Sequence, residues 1–271
     1  MMLEKINQIR DAVKKESPLI HCITNPISIQ SCANTVLAVG ARPVMAEHPN
    51  EVAEITKTAQ ALVLNLGNIT DVRMRSMPIA ATVASEKNIP MVLDAVGVAC
   101  SKHRRMFANT LLSTFSFATV KGNYSEIYAL CHEEYHACGV DADEALEEEK
   151  VLSAAVHLAR RYQTVFLASG KNDIITDGRR CYYIKNGTEQ LARVTGTGDM
   201  LGVLCGCYLA AKTDIMAAVA ACAMLGVCGE LAETAVGNGS FMVNLMDRLS
   251  TLKREEINKW IKWEEKSIEN F

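Results

Sequence analysis

Ala61-Leu62-Val63-Leu64 is apolar at four successive positions inside a predicted strand over 61–66. Such a run has no polar side to turn to water, so it needs cover on both faces, as strands of a parallel sheet do. On either side of it, short β-rich runs alternate with helical patterns. Strands are expected over 19–24, 42–46, 117–120 and 164–168, and over 90–93 ending in Asp94. Helices are expected over 28–39, 51–59, 72–87 and 147–162, and residues 1–16 read as an amphipathic helix. Asp177-Gly178, between β-rich runs at 173–176 and 180–184, marks a hairpin. The alternation predicts an α/β fold of three layers, α/β/α, around a mostly parallel central sheet, in a single domain over 1–271.

Bulk properties narrow the function. The chain has 271 residues, 49% of them apolar, and a formal net charge of −3. That composition supports a substantial core. The charge gives no basic face for nucleic acid, so none is expected as a partner. The most apolar stretch, 216–231, is interrupted by Gly226, Gly229 and Glu230 and reads as a buried helix rather than a membrane span. Ten cysteines lie scattered in apolar runs with no Cys-x-x-Cys pair. They fit small buried hydrophobes in a reducing cytoplasm, which is the expected location.

Chemistry points to Val194-Thr195-Gly196-Thr197-Gly198-Asp199-Met200, followed at once by the apolar helical stretch 201–211. The order places Asp199 in the first turn of a helix, behind a loop whose N–H groups face one space. A helix start attracts anions, and glycine lets a ligand approach the backbone closely. The run is no P-loop, since no Gly-Lys-Ser/Thr follows, and the dinucleotide spacing fails at Leu201. An anion cradle beside a carboxylate suits phosphoryl transfer to an alcohol: Gly196, Thr197, Gly198 and Asp199 hold the moving group by their amides, and Asp199 receives the hydroxyl proton. The local alternative is a plain helix cap.

Ligands of open α/β sheets bind beyond the carboxyl ends of the strands. Asn25, Met45, Asn65, Asp94, Lys121 and Ser169 all fall at or just after predicted strand ends. Asn123 and Glu126 also match a capping box. Taken singly, Lys121 is equally a solvated cation and Met45 core filler.

Read in order, these blocks resemble hydroxyethylthiazole kinases of the ribokinase-like superfamily. The resemblance rests on Thr24-Asn25-Pro26, on Ala33 through Met45, on Leu93-Asp94-Ala95-Val96-Gly97 and on Val120-Lys121-Gly122-Asn123-Tyr124-Ser125-Glu126-Ile127. Ser169-Gly170, Asp177-Gly178 and the glycine loop complete it. It implies a ribokinase-like fold and ATP-dependent phosphorylation of 4-methyl-5-(2-hydroxyethyl)thiazole in thiamine salvage, by a homotrimer. It further implies thiazole contacts from Met45, Gly196 and Asn25, ATP contacts from Lys121 and Ser169, and Mg²⁺ at Asp94 and Glu126. Three positions depart from the family pattern: Asp199 stands where cysteine is common, Lys121 where arginine is, and Ala95 where proline is. A kinase of another small heteroaromatic alcohol, of pyrimidine or pyridoxal type, and a nucleotide-binding protein without transfer activity stay open.

Three further segments carry expectations. His132-Glu133-Glu134-Tyr135-His136 matches the zinc-protease pattern, which needs both histidines on one helix face, and reads here as incidental. The acidic run 141–149 reads as a solvated helix start. The tail, 255–271, reads as a helix docked through Trp260 and Trp263.

Overall fold

In the computed structural model, which describes residues 2–137 and 146–269, nine strands follow one another in the chain. They are β1 (Leu19–Ile23), β2 (Arg42–Val44), β3 (Ala61–Asn65), β4 (Met91–Asp94), β5 (Thr119–Asn123), β6 (Val165–Ser169), β7 (Asp173–Thr176), β8 (Cys181–Ile184) and β9 (Trp263–Lys266). The helices are α1 (Met2–Glu16), α2 (Ile29–Ala38), α3 (Val52–Thr56), α4 (Asp71–Glu86), α5 (Lys102–Thr114), α6 (Tyr124–Cys131), α7 (Glu148–Tyr162), α8 (Glu189–Ala192), α9 (Thr197–Ala211), α10 (Ile215–Ala232), α11 (Asn238–Thr251) and α12 (Arg254–Trp260). All nine strands join one sheet in the order β2-β1-β3-β4-β5-β6-β7-β8-β9. The first six are parallel, and β7, β8 and β9 each pair antiparallel to the strand before them in the sheet.

The period of two along a strand divides the core. Ala61 and Val63 pack with α1, α2, α9 and α10, while Leu62 and Leu64 pack with α4, α5 and α7 on the other face. The run that opened the sequence reading is therefore covered on both sides, in three layers. Helix α10 is long and apolar enough to cross a bilayer, but 89% of it is buried within the protein.

Several expectations shift. β5 starts at Thr119 and continues through Lys121 to Asn123. Lys121 reads as a strand exit in sequence, yet it sits inside because Asp94 on the neighbouring strand supplies its partner. Helix α5 had no counterpart in the reading; its basic opening hides the apolar face of Phe107, Ala108 and Leu111. The tail departs most. α12 stops at Trp260, and Trp263–Lys266 becomes β9, paired with β8. The open edge of β8 outweighs local helix propensity, and Ile257 and Ile268 rather than the two tryptophans make the buried contacts. His132 follows the end of α6 and stacks on Tyr128 at 3.9 Å, and 132–137 is not helical, so the zinc-protease geometry does not form. Of the acidic run, 141–145 lies outside the described residues, as does Cys138; Glu148 and Glu149 open α7.

Candidate active site

Asn65, Asp94 and Lys121 are register partners on β3, β4 and β5. Matched positions of parallel strands point to one side, and here that side also carries Val63 and Val92, under α9. The three form a polar row at the carboxyl end of the sheet, and all are buried. Lys121 Nζ donates to Asp94 Oδ1 at 2.9 Å, and Asn65 Nδ2 donates to Asp94 Oδ2 at 2.9 Å. Helix α9 can lie this close because Gly202 faces Asp94: a Cβ there would stand 2.8 Å from Oδ2.

The first turn of α9 closes over this row. Gly196 caps the helix with φ +94, a conformation that favours glycine, and a Cβ would meet that of Ser28 at 2.9 Å. Asp199 does not cap the helix. Its Oδ1 accepts from Asn65 Nδ2 at 2.8 Å and its Oδ2 from Asn25 Nδ2 at 2.9 Å. Asn25 is itself fixed, since its Oδ1 accepts from the N–H of Ile27 and of Ser28. Gly198 is exposed and lies over Lys121, so that a Cβ would sit 3.4 Å from Nζ. The Thr197 hydroxyl turns away and donates to the Leu191 carbonyl, which leaves only its backbone N–H for a ligand.

Asn25, Asp94, Lys121, Gly196, Gly198 and Asp199 thus converge on one corner. Glu126 joins them electrostatically while its carboxylate completes the capping box: Oε2 accepts from Asn123 N–H at 2.6 Å and Oε1 from Gly97 N–H at 2.7 Å. Ser169 ends β6 half-buried, with its hydroxyl 3.4 Å from the Gly122 carbonyl. Met45, half-buried just after β2, packs against the α9-side core, and no contact of its own ties it to Asp199. Asn65, which joins both aspartates, had no role in the sequence reading beyond a strand end. Its signal was there: an asparagine closing an otherwise apolar strand is buried and needs partners.

Burial pushes Asp94 up to about 7; Lys121 pulls against this, and Asp199 and Glu126 add to it. Burial likewise raises Glu126, opposed by Lys121 and by the N–H groups of Gly97 and Asn123. Burial alone would lower Lys121, but Asp94, Glu126 and Asp199 together hold its ammonium above the ordinary value. One buried cation is shared among three carboxylates, an excess of negative charge that invites a further cation.

Residues 10–255 match the model of the hydroxyethylthiazole kinase family. Hydroxyethylthiazole kinase 1 of Clostridium botulinum (strain Loch Maree / Type A3) is 43% identical over 260 residues, covering 94% of this chain and 98% of that protein. Among solved structures, a hydroxyethylthiazole kinase protein from Pyrococcus horikoshii OT3 superposes with a TM-score of 0.88 at 34% identity, covering 98% and 99% of the two chains. A ribokinase-like superfamily protein from Enterococcus faecalis V583 matches at TM-score 0.63 and 13% identity over 90% of this chain and 93% of that one, a likeness of fold alone.

Proposed function

The chain belongs to the hydroxyethylthiazole kinase family, and on that premise we propose that Asp199 is the base of an ATP-dependent transfer to the hydroxyl of 4-methyl-5-(2-hydroxyethyl)thiazole, a step of thiamine salvage. The observation that carries this reading is the seating of Asp199: each oxygen accepts one asparagine N–H at the mouth of a helix N-terminus. A carboxylate oxygen has more than one lone pair, so both keep acceptor capacity for an alcohol.

The alcohol oxygen attacks the γ-phosphorus as its proton passes to the Asp199 carboxylate. The bond from that phosphorus to the bridging oxygen breaks, and ADP leaves. Amides of Gly196, Thr197, Gly198 and Asp199 donate to the transferring group, fixed in place before charge develops on it. Lys121, under Gly198, adds positive charge there. Ser169 at the end of β6 serves the ATP phosphates, and Met45 and Asn25 flank the thiazole.

Mg²⁺ fits the charge of the site. Each oxygen of Asp94 and Glu126 accepts one protein donor and keeps a further lone pair, so the two carboxylates would hold the ion directly or through water. Magnesium keeps several waters in such sites. Bound, it neutralises phosphate charge. We place the enzyme in the cytoplasm, in keeping with its free cysteines, and assign it a homotrimer; exposed apolar Ile27, Leu37, Val236 and Val243 offer surface for contact between copies.

The test is a coupled ADP-release assay with the thiazole alcohol, pyridoxal and a hydroxymethylpyrimidine, with and without Mg²⁺. Magnesium-dependent turnover highest on the thiazole is expected, together with loss of turnover in Asp199→Asn. Preference for pyridoxal or the pyrimidine would move the specificity, and near-normal turnover by Asp199→Asn would remove the base. Light scattering of the purified protein checks the trimer.

A further inference from the structure

Asn65 makes more bonds within the site than any strand end requires. Its Nδ2 carries two hydrogens, and two carboxylates receive them: Asp94 Oδ2 at 2.9 Å and Asp199 Oδ1 at 2.8 Å. Its Oδ1 accepts from Gly67 N–H at 2.8 Å and from Asn25 Nδ2 at 3.3 Å. These acceptor contacts fix which end of the amide faces the aspartates. Gly67 leaves no spare room, since a Cβ there would fall 2.7 Å from Asn25 Nδ2 and 2.8 Å from Asn65 Oδ1. The side chain is 1% exposed, so water does not compete for its hydrogens.

We propose that Asn65 is a positioning residue for the transfer: its amide bridges the Asp94 and Asp199 carboxylates and aims Asp199 at the incoming alcohol. This rests on the reading of Asp199 as the base. Two carboxylates side by side, Asp94 buried and Asp199 half-buried, repel, and each gains by turning away from the other or by taking up a proton. A neutral amide with both hydrogens between them offsets that repulsion without supplying a charge. It leaves Asp199 with one rotamer, pinned from the Asn65 side and from the Asn25 side.

Asn65 also has a local duty, because its Oδ1 accepts from Gly67 N–H and closes the turn after β3. Asn65→Asp separates the two duties. It has the same shape and keeps the acceptor for Gly67, but it loses both donors and adds a further carboxylate beside Asp94 and Asp199. If Asn65 merely closes the turn, Asn65→Asp behaves as wild type and Asn65→Ala is the damaged variant. If it bridges, both lose kcat, and Asn65→Asp shifts the pH profile as well.

The experiment measures kcat and KM for the thiazole alcohol and ATP, from pH 5.5 to 9, in wild type, Asn65→Asp, Asn65→Ala and Asp199→Asn. The expected result is a fall in kcat of about 100-fold in both Asn65 variants, the scale of a misaimed catalytic group, with KM values little changed. In Asn65→Asp the acid limb moves to higher pH by on the order of one unit, because the added negative charge favours the protonated form of its neighbours. Should Asn65→Asp fail to fold, Asn65→Ala decides by where its loss falls: kcat lost at constant KM with stability in urea little changed supports the bridge, and stability lost with kcat kept overturns it. Inactive Asp199→Asn alongside Asn65 variants with wild-type kcat and acid limb overturns the positioning role and spares the base. Active Asp199→Asn overturns the base, and the positioning role with it.

Discussion

Lys121 Nζ donates to Asp94 Oδ1 across 2.9 Å, with the two side chains 4% and 0% exposed. Breaking a buried pair by removing one partner leaves the other charge stranded, at a cost of about 3–5 kcal/mol. Lys121→Met is therefore expected to lose stability on that scale in urea unfolding at pH 8. Adding Asp94→Asn to it should recover much of the loss by removing the stranded charge. A Lys121→Met protein as stable as wild type would mean that the pair contributes nothing to the fold.

Burial of Asp94, which Lys121 only partly offsets, sets a pH dependence. In the folded protein Asp94 titrates near 7, against 3.8 for the free side chain. Between those values the folded state binds the proton and the unfolded state does not, so stability from this group falls as pH rises from about 4 to about 7. Lys121, raised above its ordinary 10.5, stays charged throughout that window and adds no slope. Subtracting the stability profile of Asp94→Asn from that of wild type isolates the effect. The difference should decline across the window and level off above it. A flat difference would show that Asp94 is ionised in the fold at low pH.

Much of this fold is legible in the sequence because parallel strands must be apolar on both faces, and 61–64 and its counterparts are. The glycine loop was equally readable, since Gly196 and Gly198 ahead of Asp199 satisfy a local rule. What escaped was set by distant partners. Taken alone Lys121 reads equally as a solvated cation, and its burial comes from Asp94, its register partner. Asn65 gained its place from two carboxylates 29 and 134 residues away in the chain. Trp263–Lys266 became a strand because β8 had an edge to cover. Local periodicity carries none of these relationships.

Gly206 sits where α9 crosses β3. A Cβ at this position would fall 2.4 Å from Val63 Cγ2, closer than atoms allow. Gly206→Ala must push the helix off the sheet or force Val63 from its rotamer, at about 1–3 kcal/mol. Val63→Ala makes the room, so the double variant should be less destabilised than the sum of the single ones. A double-mutant cycle by denaturant unfolding measures this coupling, expected at about 1 kcal/mol or more. Strict additivity would place the strain elsewhere than at that contact. Because Asp199 rides on the same helix, Gly206→Ala should also lower kcat, and Val63→Ala should restore part of it.

Strand β9 covers the outer edge of β8, pairing Cys181, Tyr182, Tyr183 and Ile184 with Lys266, Glu265, Glu264 and Trp263. Its own outer edge carries charge, which discourages pairing with another chain. Ending the chain at Lys262 would remove this guard and leave the apolar, tyrosine-bearing β8 as the exposed edge. The truncation also deletes Ile268, which is 4% exposed and packed in the core, and so costs stability by a second route. Ile268→Ala separates the two effects: it should lose about 2 kcal/mol or more and keep β9 in place. At temperatures chosen so that both proteins are equally folded, the truncated chain is expected to scatter light and aggregate, and Ile268→Ala is not. Equal aggregation of the two would assign the effect to lost core packing alone and leave the edge without a protective role.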